Sequence, residues 1–137
     1  MPAKFENIEV TPEFLNSRGD IYYVYGDNGS KQGSTDAAKL RGHPRAIGFI
    51  VRKAPDDAAK SCFTPEEYVK PFFDQLKQLS THIVNNKQQT FYVSKLGFGS
   101  ANKHYIWERL VYHNLVSELG VYDNVVFCWE QEKLASN

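Results

Sequence analysis

Cysteine is scarce in this chain: Cys62 and Cys128 are the only two among 137 residues. So wide a spacing does not make a disulfide framework, and both are expected as free thiols, with a bridge between them the lesser alternative. No Cys/His pair has zinc-ligand spacing, so no metal is implied, and no cofactor either. No apolar run approaches the roughly 20 residues that span a bilayer. The opening residues MPAKFENIEV lack the apolar core of a signal peptide. The expected location is therefore cytoplasmic, with no membrane partner. Neither sign of charge is in excess, since Lys plus Arg and Asp plus Glu both number 16. That balance speaks against a general nucleic-acid binder and leaves only a local patch at Arg41, Arg45, Arg52 and Lys53. The motifs GxGxxG, GxxxxGK[ST] and GxSxG are also missing, which removes the simplest routes to a dinucleotide fold, a P-loop or a serine hydrolase.

What is present is a core. Hydrophobic residues make up 42% and aromatics 14%, enough for one folded domain over residues 1–137. Residues 5–15 suggest an edge strand near Ile8 and Val10, with Pro12 at its end. Residues 16–20 read as a turn. Residues 21–25 (IYYVY) are β-branched or aromatic throughout, as in a strand buried on both faces, and Gly26 is expected to end it. A short helix over 36–40 follows, then a strand over 46–51. Thr64, Pro65 and Glu67 form a capping box that starts a helix carrying Tyr68, Phe72, Leu76, Leu79 and Ile83 on one face. Pro71 inside it predicts a kink. A strand over 90–96, a helix over 104–119 closed by Gly120, a strand over 124–129 and a frayed tail over 130–137 complete the chain. The alternation predicts a three-layer α/β/α sandwich with a mostly parallel sheet.

In such a sheet, ligands sit outside the carboxyl ends of the strands. Two loops fall there. The first holds Gly26, Asp27, Asn28, Gly29, Lys31, Gly33, Ser34 and Thr35; its glycines allow a close backbone approach and its hydroxyls and lysine suit an anion. The second holds Gly97, Phe98, Gly99, Ser100, Ala101 and Asn102, between a strand and a helix, a geometry that grips phosphate. Phe98 can stack on a base or ribose, or plug its own helix. Asp27 is a candidate general base and Asn28 a candidate orienter of a ribose or water; both also suit an ordinary turn. Trp129 can close over a base or cap the core. His82 and His113 read as surface or packing residues, while His104 follows the second loop closely enough to reach it.

The pattern VYGDN…G…DAA, an apolar strand, a capped helix, LGFGSA and a final NVVF strand resembles a small uncharacterised group of phage and bacterial proteins. In that group the first strand ends in VFGSN and the later loop in IGCGLAG. The group is in turn similar to the macro domain, an ADP-ribose-binding α/β fold. The resemblance implies that Asn28 lies near a distal ribose, that Gly97, Gly99, Ser100 and Ala101 wrap a diphosphate, and that Phe127 or Trp129 neighbours adenine. The glycine run that follows the asparagine in macro domains is absent here; only Gly29 and Gly33 remain.

Two functions are consistent with these residues. One is binding of a nucleotide or ADP-ribose-like ligand at the two loops, with or without metal-independent hydrolysis of an ADP-ribosyl linkage. The other is a non-enzymatic phage protein that inhibits a host factor or sequesters a nucleotide signal, with the tyrosines as interface residues.

Overall fold

The computed structural model describes residues 2–32, 39–56 and 58–131. Five strands form one sheet: β1 (Lys4–Phe5), β2 (Ile21–Asn28), β3 (Ala46–Arg52), β4 (Thr90–Val93) and β5 (Val125–Phe127). Their order across the sheet is β1-β5-β4-β2-β3, and every pairing between them is parallel. The α/β class with a parallel sheet is therefore what the chain forms.

Alternation along the strands divides the side chains between two cores. Val24, Phe49, Val51, Phe91, Val93, Val125 and Phe127 face the larger one. There they meet Tyr68, Phe72, Leu76, Leu79 and Ile83 of helix α2 (Pro65–Asn85) and Leu115 and Leu119 of helix α3 (Tyr112–Leu119). Ile21, Tyr25, Tyr92 and Val126 face the other way, onto Val10, Leu15 of helix α1 (Pro12–Ser17) and Leu40. The expected third layer is thus reduced, among the described residues, to one short helix and its approach. Both longer helices lie on a single face.

Several local expectations change. The edge strand is Lys4–Phe5, not the stretch around Ile8 and Val10. Pro12 ends no strand: Thr11 accepts a hydrogen bond from the Phe14 amide as N-cap, and Pro12 opens α1, where its missing N–H costs nothing. Gly26 does not stop β2, which runs on through Asp27 to Asn28 because β3 pairs with it along that length. β4 ends at Val93, three residues early, and β5 covers only 125–127. The third helix is not regular: its first five residues, Trp107–Val111, form a π-helical turn before α3. Gly120 caps α3 in a right-handed conformation (φ −65°), so glycine's left-handed freedom is not used there. Most of the expected helix over 36–40 lies outside the described residues.

Helix α2 begins as the capping box dictates. Thr64 accepts from the Glu67 amide at 3.2 Å, and Glu67 accepts from the Thr64 amide at 2.9 Å. The helix continues unbroken through Pro71. One turn on, the Gln75 carboxamide binds strand backbone at both ends. Its Oε1 accepts from the Ile50 amide at 2.7 Å, and its Nε2 donates to the Ile50 carbonyl at 3.1 Å. Ile50 lies on β3, the outer strand, and Tyr68 donates to the same carbonyl. A side-chain amide thereby occupies backbone groups that an edge strand would otherwise present to solvent.

The Thr64 amide, and after it Lys53, hold the Glu67 carboxyl down to about 2. Because the folded value lies below the ordinary one, the box's ionic contribution is complete above about pH 4.5 and is lost as pH falls toward about 2. Replacing Thr64 by Ala is expected to cost about 1 kcal/mol in urea unfolding at neutral pH, and removal of the Glu67 charge should matter only above that acid window.

Candidate functional site

Val24 and Val93 are the last directly paired residues of β2 and β4. Beyond them the Ser94 amide still donates to the Val24 carbonyl at 3.0 Å, and then the two chains separate. β2 continues beside β3, while the chain after β4 leaves the ladder at Ser94 and reaches Arg52 at the end of β3 through Ser100. The next strand after β2 lies on one side and the next after β4 on the other, which makes the gap between them the switch point of the sheet. A cavity of about 250 Å³ opens there.

Its walls come from three strand ends. β2 supplies Gly26, Asp27 and Asn28, β3 supplies Val51 and Arg52, and the segment after β4 supplies Ser94, Lys95, Leu96, Gly97, Phe98, Ser100 and Ala101. The end of β2, where the first expected loop begins, and the second expected loop thus meet in one pocket. Gly97 is required at its floor. Its φ is +85°, and a Cβ there would come within 3.0 Å of the Ile106 side chain. Gly99–Ala101 forms a single 3-10 turn. Among the described residues, the amides of Gly97 and Ser100, both in the wall, donate to no backbone or side-chain acceptor. Arg52 donates to Ser100 Oγ at 3.3 Å and to the Asp56 carbonyl at 3.2 Å, which ties the end of β3 to the second loop. Cys62, buried beside them, donates to the Ser100 carbonyl at 3.4 Å. Arg52, Lys95, Ser100 and two undonated amides therefore surround a small space that suits an anion, with Asp27 in the same wall already paired to Arg41.

The family model described as "Family of unknown function (DUF7831)" matches residues 5–104. The chain belongs to this family. The match includes every residue of the pocket wall and stops before the π-helical turn. No curated protein and no solved structure matches the chain.

Other residues expected at the site are engaged by the fold or lie away from the pocket. Asp27 is 5% exposed and ion-paired to Arg41, whose Nη2 lies 2.6 Å from Oδ1 and whose Nε lies 3.1 Å from both carboxylate oxygens. The Asn28 amide donates to it as well. Burial pushes the Asp27 carboxyl up, but the Arg41 and Asn28 hydrogen bonds and the charges of Arg41 and Lys31 together hold it below its ordinary value. It is an ionised structural anchor and not a poised base. Asn28 is similarly engaged: its Oδ1 accepts from the Ser30 amide and hydroxyl, and its Nδ2 donates to the Gln32 carbonyl. Arg41 donates to that same carbonyl. Asn28 therefore shapes the first loop, although one side of it remains in the pocket wall.

Gly29 and Lys31 line a separate groove of about 740 Å³ that includes Tyr25, Arg41 and Gly48. Lys31 is held at φ +54°. Gly33, Ser34 and Thr35 lie outside the described residues. Asn102 caps the π-helical turn: its Oδ1 accepts from the Trp107 amide at 2.9 Å and its Nδ2 donates to Glu108. Gly99 adopts φ +88° without lining the cavity. Trp129 is buried against Phe5, Trp107 and Phe127 and is not among the residues of the pocket wall. His104 donates to the Ala59 carbonyl at 2.9 Å and does not reach the pocket wall. His82 packs edge-on against Tyr22 and Phe91. Both cysteines are free.

Sequence reading misses Arg41 as the partner of Asp27 and Lys95 as a pocket residue. Lys95 has an available signal, since it follows β4 by two residues, as Arg52 closes β3.

Asp27→Asn should destabilise the fold by about 1–3 kcal/mol at neutral pH, because Arg41 loses an ionised partner. With the folded carboxyl value depressed, the pair's contribution is complete above the ordinary value of 3.8 and is lost as pH falls through the lower folded value. Unfolding of the two proteins compared across pH should therefore converge in acid.

Proposed function

We propose that the switch-point pocket binds the phosphate of a nucleotide or ADP-ribose-like ligand. The carrying observation is the convergence of Arg52, Lys95 and the undonated amides of Gly97 and Ser100 in one cavity at the carboxyl ends of three parallel strands. Arg52 and Lys95 supply charge, the amides supply directed donors, and Ser94 and Ser100 add hydroxyls. Phe98, 52% exposed at the rim, offers a face for a base or ribose. The macro-like resemblance of the sequence supports the same reading, because it assigns the diphosphate to this loop.

The cavity is too small to enclose a dinucleotide. A phosphate and its attached sugar fit inside, with the rest of the ligand lying across the rim. The reading stops at binding: Asp27 is already paired with Arg41, so hydrolysis would need another group to activate water.

A thermal-shift screen with ADP-ribose, NAD and cyclic nucleotides tests this. A ligand present at about 100 times its Kd adds about 2.7 kcal/mol of stability and raises Tm measurably. Arg52→Ala should weaken the same ligand by about tenfold or more, in keeping with loss of one charge-assisted hydrogen bond. No stabilisation by any nucleotide at millimolar concentration would remove the proposal.

A further inference from the structure

Lys95 has two neighbours that pull it in different directions. Lys95 lines the pocket together with Arg52 and Ser100. Its ammonium, however, sits 3.9 Å from the centre of the Phe98 ring and 5.4 Å from that of Trp107. The two rings meet edge to face at 6.1 Å, so they form a corner that holds the cation. Phe98 is half exposed, and the ammonium covers one face of its ring. A flexible four-carbon stem lets the ammonium leave the ring for a nearby anion at little cost.

We infer that Lys95 is a specificity switch that makes this pocket selective for nucleotides over both bare phosphates and bare nucleosides. This rests on the phosphate-binding reading above. An entering phosphate draws the ammonium off Phe98, and the ring face so uncovered stacks the base of the same ligand. A nucleoside without phosphate has to displace the cation unaided. A phosphate without a base uncovers a ring that nothing then occupies. The substrate class is a nucleoside monophosphate, or a larger molecule that ends in one.

Calorimetric titration of the full chain with inorganic phosphate, ribose 5-phosphate, adenosine and AMP tests the coupling. AMP should bind about five- to hundredfold more tightly than ribose 5-phosphate, the range expected for stacking one base on an aromatic ring. Adenosine alone should bind at least about tenfold more weakly than AMP. In Lys95→Met, adenosine should bind more tightly and AMP more weakly, so their ratio falls by about tenfold or more. Phe98→Leu should abolish the difference between AMP and ribose 5-phosphate and bind the latter at least as tightly as the wild type does, because the ammonium no longer has that ring face to leave.

Equal affinity of the wild type for AMP and ribose 5-phosphate, or an unchanged AMP-to-adenosine ratio in Lys95→Met, overturns the switch while phosphate binding stands. Failure of inorganic phosphate, ribose 5-phosphate and AMP alike to bind at millimolar concentration overturns both readings. Should Lys95→Met not fold, tryptophan emission of the wild type decides. Saturating phosphate should shift it as the ammonium leaves Trp107, and the shift should be lost in Trp107→Phe. Phosphate that binds without changing the emission overturns the switch.

Discussion

The parting of β2 and β4 beyond Val24 and Val93 is the constraint on which the rest of the arrangement depends. Parallel strands need long crossovers, and a chain that crosses to one side after β2 and to the other after β4 must leave the two strand ends unbridged. Backbone groups that would have paired across the gap then require other partners. The protein meets this on one flank by running β2 on beside β3 as far as Asn28. On the other flank it folds residues 97–101 around a 3-10 turn, where the Gly97 and Ser100 amides face no acceptor among the described residues. The candidate site is the part of the sheet that could not be closed.

Around that gap, side chains with strong chemical potential are consumed by structure. Asp27, Asn28 and Asn102 all occupy places where a sequence suggests catalysis or ligand contact. The structure uses the first to hold Arg41, the second to shape residues 28–32 and the third to start the π-helical turn. Each is a short polar side chain that satisfies nearby backbone, the commonest use of such residues at strand and helix ends. What they leave to a ligand is the positive charge of Arg52 and Lys95 and the backbone itself. On the proposed reading, a site of this composition would hold an anion by field and by directed N–H groups rather than by a dedicated acid or base.

The parts of the fold that can be read directly are those with local signals. The apolar runs locate β2, β3, β4 and β5, and Thr64, Pro65 and Glu67 locate the start of α2 to the residue. That the end of β2 lies beside the loop after β4 is also legible, because strand ends of a parallel sheet share one edge. Non-local pairing is not. Nothing near Asp27 announces Arg41, 14 residues away. Gly26 looks like a stop because glycine weakens an isolated strand, yet β3 supplies the ladder that carries the chain through it. Pro12 suggests the close of a strand, although Thr11 before it is an N-cap residue and the pair marks a helix start. Lys95 escapes notice because a lone lysine carries no motif; only the folded loop brings it to Phe98.

The amide of Gln75 on the Ile50 backbone has a wider meaning for this sheet. Sheet size is usually thought of as a property of strands, yet here the outer limit at β3 is enforced from a helix. One carboxamide imitates the next strand over a single residue and fills its place. Only a side chain with both a donor and an acceptor at the right reach can do this, so charged or apolar replacements would leave the outer strand able to recruit another copy of the chain. At Ile50 the backbone of the outer strand is thus closed from α2, outside the sheet itself.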